Sequence, residues 1–166
     1  MRKIIVAILL LVAVVSCVSI DCPVKNTVEV TYMLKKPSGG ADTLKTDTLS
    51  AWVHRIYYTD HQDSVCLNRL CGDKATSFSI FTSHTLPEDS IFTLLKDTLG
   101  HEWRDTICIK KENYPHFESV DCKAVYFHHI NEVTTTHHGI DSISIQNREV
   151  NYDSSEHLFL YLKANR

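Results

Sequence analysis

Thr27-Val28-Glu29-Val30-Thr31-Tyr32-Met33-Leu34 is the stretch that decides the fold class. Val28, Val30, Tyr32 and Leu34 recur at every second position, with Glu29 and Thr31 between them, and a period of two marks a strand with one buried face. Pro37-Ser38-Gly39-Gly40 then breaks the pattern as a turn. Working outward, similar short runs recur at 49–58, 64–70, 77–81, 91–95, 106–110, 124–133, 142–145 and 158–162. They are separated by Cys71-Gly72-Asp73, Leu99-Gly100-His101, His138-Gly139 and the polar stretch 147–156. About eight or nine strands rich in Val, Ile, Thr, Tyr and Phe predict an all-β fold, an antiparallel two-sheet β-sandwich, Ig-like or related. One segment reads two ways. Besides the strand reading of 91–95, Pro87 suits the first helical position, Glu88 and Asp89 suit a first turn, and Ile91, Leu94 and Leu95 have helical spacing, so one short helix near 87–96 is the alternative for this segment.

The N-terminus has another logic. Arg2 and Lys3 precede an apolar run from Ile4 to Val15, followed at once by Ser16 and Cys17, which is the layout of a signal peptide. At about 1.5 Å per helical residue this run reaches roughly 18 Å, short of the roughly 30 Å hydrocarbon core of a bilayer. Val14-Val15-Ser16-Cys17 resembles a bacterial lipobox, whose cysteine is acylated and becomes the first residue after cleavage. The organisation expected is therefore a removed signal peptide over 1–16, a lipidated tether over 17–26 with the lipid on Cys17, and a β-sandwich domain over 27–166. Several acyl chains, each contributing roughly 0.8 kcal/mol per buried CH₂, make such attachment to a lipid bilayer stable.

Loss of Arg2 and Lys3 leaves 15 basic against 20 acidic residues, a net charge of −5 on the remaining 150 residues. That is one domain's worth of chain, able to bury about 70% of its unfolded surface. A mildly acidic chain without a basic cluster argues against a nucleic-acid partner. Lys35-Lys36 and Lys110-Lys111, the longest basic runs, read as solvated strand ends.

Five cysteines follow the anchor, and an odd number cannot all pair within one chain. Cys22 with Cys122 is the favoured disulfide, pinning the start of the tether to the later half of the domain. Cys66 with Cys71 is a second candidate, which leaves Cys108 buried on a strand. Ten histidines raise a metal-binding alternative centred on His128, His129, His137 and His138, with Glu132 as a further ligand if the two segments form a hairpin. Adjacent strand residues point to opposite faces, so at most one of each histidine pair joins such a site. G-x-S-x-G, S-x-x-K, H-E-x-x-H and glycine-rich phosphate loops are missing from the sequence. The expectation is a non-enzyme without a cofactor.

Asp followed by Ser or Thr and then an aliphatic residue recurs at seven of the twelve aspartates, where average usage gives roughly one. Such triplets suit a turn aspartate leading into a strand. They also resemble the acceptor motif of periplasmic O-glycosylation in Bacteroidota, which makes Thr43, Thr48, Ser64, Ser90, Thr98, Thr106 and Ser142 candidate acceptors.

A broader resemblance rests on Asp21-Cys22-Pro23, on Pro115-His116-Phe117-Glu118-Ser119-Val120-Asp121-Cys122, on Ile140-Asp141-Ser142-Ile143 and on Val150-Asn151-Tyr152-Asp153. These residues resemble an uncharacterised lipoprotein family of Bacteroidota gut commensals, a domain of unknown function from which no catalytic residue carries over. The resemblance implies an outer-membrane lipoprotein and supports the Cys22–Cys122 pairing. Val18 to Asp21 lack the acidic cluster that resembles a surface-export signal, so the domain is expected to face the periplasm. Two functional readings follow: a non-catalytic envelope domain binding a protein or a glycan, and the histidine-based metal protein.

Overall fold

The computed structural model describes Cys22 and residues 28–44, 47–56, 62–71, 76–153 and 155–164, with 52–56 and 62–71 as backbone alone. Among the described residues ten strands follow in order: β1 (Glu29–Lys35), β2 (Thr48–Ile56), β3 (Gln62–Cys71), β4 (Ser77–Phe81), β5 (Glu88–Lys96), β6 (Glu102–His116), β7 (Val125–Thr135), β8 (Ile140–Ile145), β9 (Glu149–Val150) and β10 (Leu158–Leu162). They build a two-sheet β-sandwich. One sheet has the order β4-β1-β10-β8 and the other β3-β2-β5-β6-β7-β9. All pairings are antiparallel except that of β1 with β10, where Tyr32 lies beside Leu158 and Lys35 beside Tyr161. A parallel pair needs a crossover connection, and here the rest of the domain provides it.

Alternation decides which face goes inside. Val28, Val30, Tyr32 and Leu34 are all buried, as the period of two requires, and Tyr32 stacks on Phe78 of β4 with ring centroids 4.7 Å apart. Leu158, Leu160 and Leu162 of β10 extend this layer. Leu49, Ile91, Leu95, Ile107, Ile109 and Ile130 face them from the six-stranded sheet. Each such side chain removed from water contributes on the order of 1.5–3 kcal/mol. Gly39, at φ 96°, takes the left-handed place in the Pro37–Gly40 turn, where its N–H donates to Lys36 O at 2.8 Å.

The 87–96 segment is a strand, as one of its two readings has it, and the alternative of a short helix is overturned. β5 is an inner strand bonded to β2 and β6, and its buried residues are Ile91, Thr93 and Leu95. The buried residue between the two aliphatics is a threonine, so the strand period is masked in the sequence. Its hydroxyl is accommodated by donating to Asp105 O at 3.3 Å.

β6 outruns β5. Glu88 pairs with Lys110, whereas the pairing with β7 continues to His116 and Val125. The projecting β6–β7 hairpin ends in residues 117–124, where Cys122 is disulfide-bonded to Cys22 with Cα atoms 5.6 Å apart. The hairpin tip, the start of β1 and the 82–87 connection therefore share one end of the sandwich, here called the tethered end. The 97–101 turn and the 136–139 connection lie at the far end. Cys66 and Cys71 both lie on β3, five residues apart on one strand, a Cα separation of about 16 Å that exceeds disulfide reach; their side chains are outside the described residues.

Closing a chain separation of 100 residues makes the Cys22–Cys122 bridge a substantial constraint on the unfolded chain. Replacing both cysteines by serine is expected to lower the unfolding free energy by about 2–4 kcal/mol in urea titrations. A change within error of zero would mean that the bridge merely decorates the tether.

Candidate functional site

Lys111 is the first surprise of the interior. Lys110 is exposed and ion-paired with Glu132 at 2.8 Å, but Lys111 is fully buried, which corrects the reading of this pair as a solvated strand end. Its ammonium bonds to Ser83 O, to Leu86 O at 2.8 Å and to Asn113 Oδ1 at 2.9 Å, and pairs with Asp89 Oδ2 at 3.2 Å. Its backbone N–H donates to Pro87 O at 2.8 Å. Four acceptors surround three protons, so no ammonium proton remains uncommitted. Burial pulls the Lys111 pKa down from the ordinary lysine value, and Asp89 opposes that shift. The group thus clamps the 82–87 connection onto β6 at the tethered end.

His128 and Asn113 complete this cluster. His128 is buried, and its Nδ1 lies 2.7 Å from Asn113 Oδ1; with that oxygen already serving as an acceptor for Lys111, Nδ1–H is the donor. Asn113 Nδ2 donates to Leu86 O at 2.8 Å. Burial, then the charges of Lys111 and His84, lower the His128 pKa to about 4, so the ring is neutral at physiological pH.

The far end carries the second cluster. Asp105 is buried and accepts from His138 N at 2.6 Å, Gly139 N at 2.7 Å, Ile140 N at 2.9 Å and Thr136 Oγ1 at 2.8 Å. Burial raises its carboxyl pKa, but the three backbone donors and Thr136 outweigh burial and hold it below the usual carboxylate value. The chain turns here from one sheet to the other. His137 adopts φ 61° with Nδ1 bonded to Asp141 O at 2.6 Å. A Cβ on Gly139 would stand 2.7 Å from Trp103 Cβ, so the position demands glycine.

This turn separates the histidines. β7 and β8 belong to different sheets rather than to one hairpin, and His128 and His137 lie nine residues apart along an extended path of about 30 Å. His129 bonds to Glu149, His138 Nδ1 lies 3.2 Å from Thr136 Oγ1 and Glu132 pairs with Lys110. Among the described residues no three His, Cys, Asp or Glu side chains gather as a metal site. The metal alternative loses its geometric basis.

Of the candidate acceptor hydroxyls, Ser90 and Thr98 are exposed, and Thr43, Thr48, Thr106 and Ser142 are half-buried. The Ser64 side chain and Cys17 fall outside the described residues. Within β5 and β6, period two turns the aspartate and the aliphatic residue of each triplet to one face and the hydroxyl to the other. Asp89 and Asp105, the two aspartates serving the buried clusters, both open such triplets. Cys108 sits on the outer face of β6, half-buried rather than in the core, with Sγ 2.9 Å from Glu88 Oε1. Burial and Glu88 push its thiol up to about 11, which keeps it protonated and inert.

The outer face of the β6–β7 hairpin is aromatic. His116 stacks on Phe127 at 4.3 Å, Tyr152 meets Phe127 edge-on at 5.0 Å, and Tyr114 lies 6.1 Å from the same ring. Tyr114 Oη donates to Glu149 Oε2 at 2.9 Å. No spacing rule in the sequence marks this group, because it is assembled from three separate segments.

Residues 52–162 match a family described as a family of unknown function, DUF6452. No curated protein and no solved structure matches the chain.

Asp105→Asn keeps the size of the side chain but turns an NH₂ group toward N–H donors. It is expected to cost about 2–4 kcal/mol of stability in urea titrations, and a loss within error of zero would show that the turn does not depend on the carboxylate. His128 supplies a pH signature. Between its unfolded pKa of about 6.5 and its folded value of about 4, the unfolded chain takes up a proton that the folded chain refuses, so stability present above the window falls as the pH is lowered through it. His128→Gln is expected to flatten this slope, which approaches about 1.4 kcal/mol per pH unit at most. Superimposable stability–pH curves for the two proteins would refute the assignment. His157, also buried and lowered in pKa by burial, leaves a residual slope in the variant.

Proposed function

This chain belongs to the DUF6452 family, and from its own residues we propose that it is an outer-membrane lipoprotein whose β-sandwich is a non-catalytic binding domain facing the periplasm. The observation that carries this reading is the spacing of Cys17 and Cys22: five residues, at most about 17 Å of extended chain, separate the acylated residue from a cysteine bonded to the folded domain. Such a link suits a domain stationed against the membrane.

The non-catalytic part of the proposal draws on the two polar clusters. Lys111 and Asp105 spend their hydrogen-bonding capacity within their own chain, on backbone groups together with Asn113 and Asp89 for the lysine and Thr136 for the aspartate, which is what structural charges do. A general base or nucleophile needs a free lone pair or an exchangeable proton facing a cleft. The binding partner under this reading is another envelope component, a protein or a glycan.

Cys17→Ser is expected to move the protein from the membrane to the soluble fraction and to remove the acyl mass from its intact-mass spectrum. Unchanged membrane association would defeat the anchor. Crosslinking of intact cells followed by purification should recover one reproducible envelope partner, and repeated recovery of none would count against the binding role.

A further inference from the structure

The exposed apolar side chains are distributed unevenly between the two ends of the sandwich. Among the described residues the large exposed hydrophobics are Phe81, Leu86, Leu99, Tyr114, Phe117, Val120 and Tyr152. Six of these seven belong to the tethered end. Phe81 ends β4 opposite the first residue of β1. Leu86 lies in the connection clamped by Lys111 and Asn113. Tyr114 is on the projecting part of β6, Tyr152 packs against Phe127 and His116 of the same hairpin, and Phe117 and Val120 occupy its tip. Val120 is 97% exposed and Phe117 62%, values that no fold requires of such residues. Leu99 alone is at the far end.

We propose that this end of the domain docks on the bilayer interface, with the hairpin tip at 117–120 entering the headgroup region and the Tyr114–Tyr152 aromatics lying beside it. The inference rests on the lipid-anchor reading of Cys17 and adds an orientation to it. Three observations commit the patch to lipid. The disulfide places Cys22 two residues from Val120 in the chain sense of its partner Cys122, and Cys17 is only five residues further on. A tether of at most about 17 Å holds the tip at the membrane surface, whereas the far end stands roughly 45 Å away along the 15 residues of β6. Finally, the rings suit the interface: Tyr114, Tyr152 and His116 are amphipathic and Phe117 and Val120 apolar, the Tyr114 hydroxyl is bonded to Glu149, and the exposed carboxylates of Glu118, 3.2 Å from His116, and Asp121 remain at headgroup level. In this pose the far end, with the Asp105 turn, points into the periplasm.

The test uses the full acylated protein, purified from membranes and reconstituted in phosphatidylethanolamine–phosphatidylglycerol vesicles with or without brominated acyl chains. Val120→Trp and Leu99→Trp each add one fluorophore at an exposed position, so neither disturbs the core, and the unmodified protein supplies the background of Trp52 and Trp103. Docking predicts that brominated lipid quenches the emission added by Val120→Trp and leaves that of Leu99→Trp unchanged. Equal quenching at both sites, or at neither, in protein that floats with the vesicles overturns the docking and spares the anchor. A blue shift of the Val120→Trp emission without quenching assigns the patch to a second copy of the chain, and also overturns it. Protein that does not float with the vesicles overturns the anchor and the docking together.

Discussion

Two opposite charges buried on the inward face of one strand organise this sandwich. Asp105 and Lys111 lie six residues apart on β6, one near each end of the core. An ion taken out of water costs several kcal/mol unless partners replace its hydration, and neither residue finds enough partners within the regular ladders. The connections at the two ends supply them. At the far end the backbone of 138–140 converges on Asp105, and at the tethered end the carbonyls of Ser83 and Leu86 converge on Lys111. The irregular segments that cross between the sheets are therefore shaped by two charges as much as by their own turn residues. Asp89 adds a counter-charge to Lys111 and raises the pKa of the buried Tyr32 phenol, after burial itself, so the tethered-end cluster reaches into the middle of the core.

Why charges rather than aliphatics occupy these places is a question of specificity. An all-aliphatic inner face of β6 would bury its area equally well in several registers of the crossing segments, because hydrophobic contact has no direction. Hydrogen bonds do. Asp105 accepts three successive N–H groups in one arrangement of the 136–140 turn, and Gly139 permits that arrangement by leaving room beside Trp103. The bulge of β7 opposite Lys110 and Lys111 similarly keeps Lys111 on the inner face while β6 continues past the edge of β5. Both devices place the hairpin tip and the far-end turn at opposite poles of the sandwich.

Much of this was legible in the residues. The alternation from Val28 to Leu34 identified the strand and its buried face, and the turn at Pro37–Gly40 followed from composition. The segment near 87–96 left helix and strand both open because Thr93 occupies an inward position, and a buried threonine is visible only once its acceptor, Asp105 O, is in place. The histidine hairpin failed for a topological reason: short connections between neighbouring strands usually stay in one sheet, but the grip of Asp105 turns the 136–139 segment across to the other. Lys111 is legible from the strand period alone. Ile107, Ile109 and Lys111 continue one period of two, so the same rule that buries the isoleucines places the lysine beside them. The aromatic group at the tethered end had no local signal, since β6, β7 and the segment around Tyr152 meet only in the folded chain.

The disulfide also sets where force enters the domain. Without it, tension on an acylated Cys17 would run through 18–28 into β1, an element of the four-stranded sheet. With Cys22 bonded to Cys122, that load passes to the β6–β7 hairpin and bypasses β1. β6 and β7 share a ladder from Ile107 to His116, and β6 is held on its other side by β5. On the proposed reading, then, the anchor pulls on the strand that already carries both buried charges, and any displacement of the domain from the membrane is resisted by a strand paired on both sides. On that same proposed reading, the short tether, the apolar hairpin tip and the doubly paired β6 would serve one mechanical role, keeping the tethered end at the bilayer and the far end in the periplasm without a rigid linker.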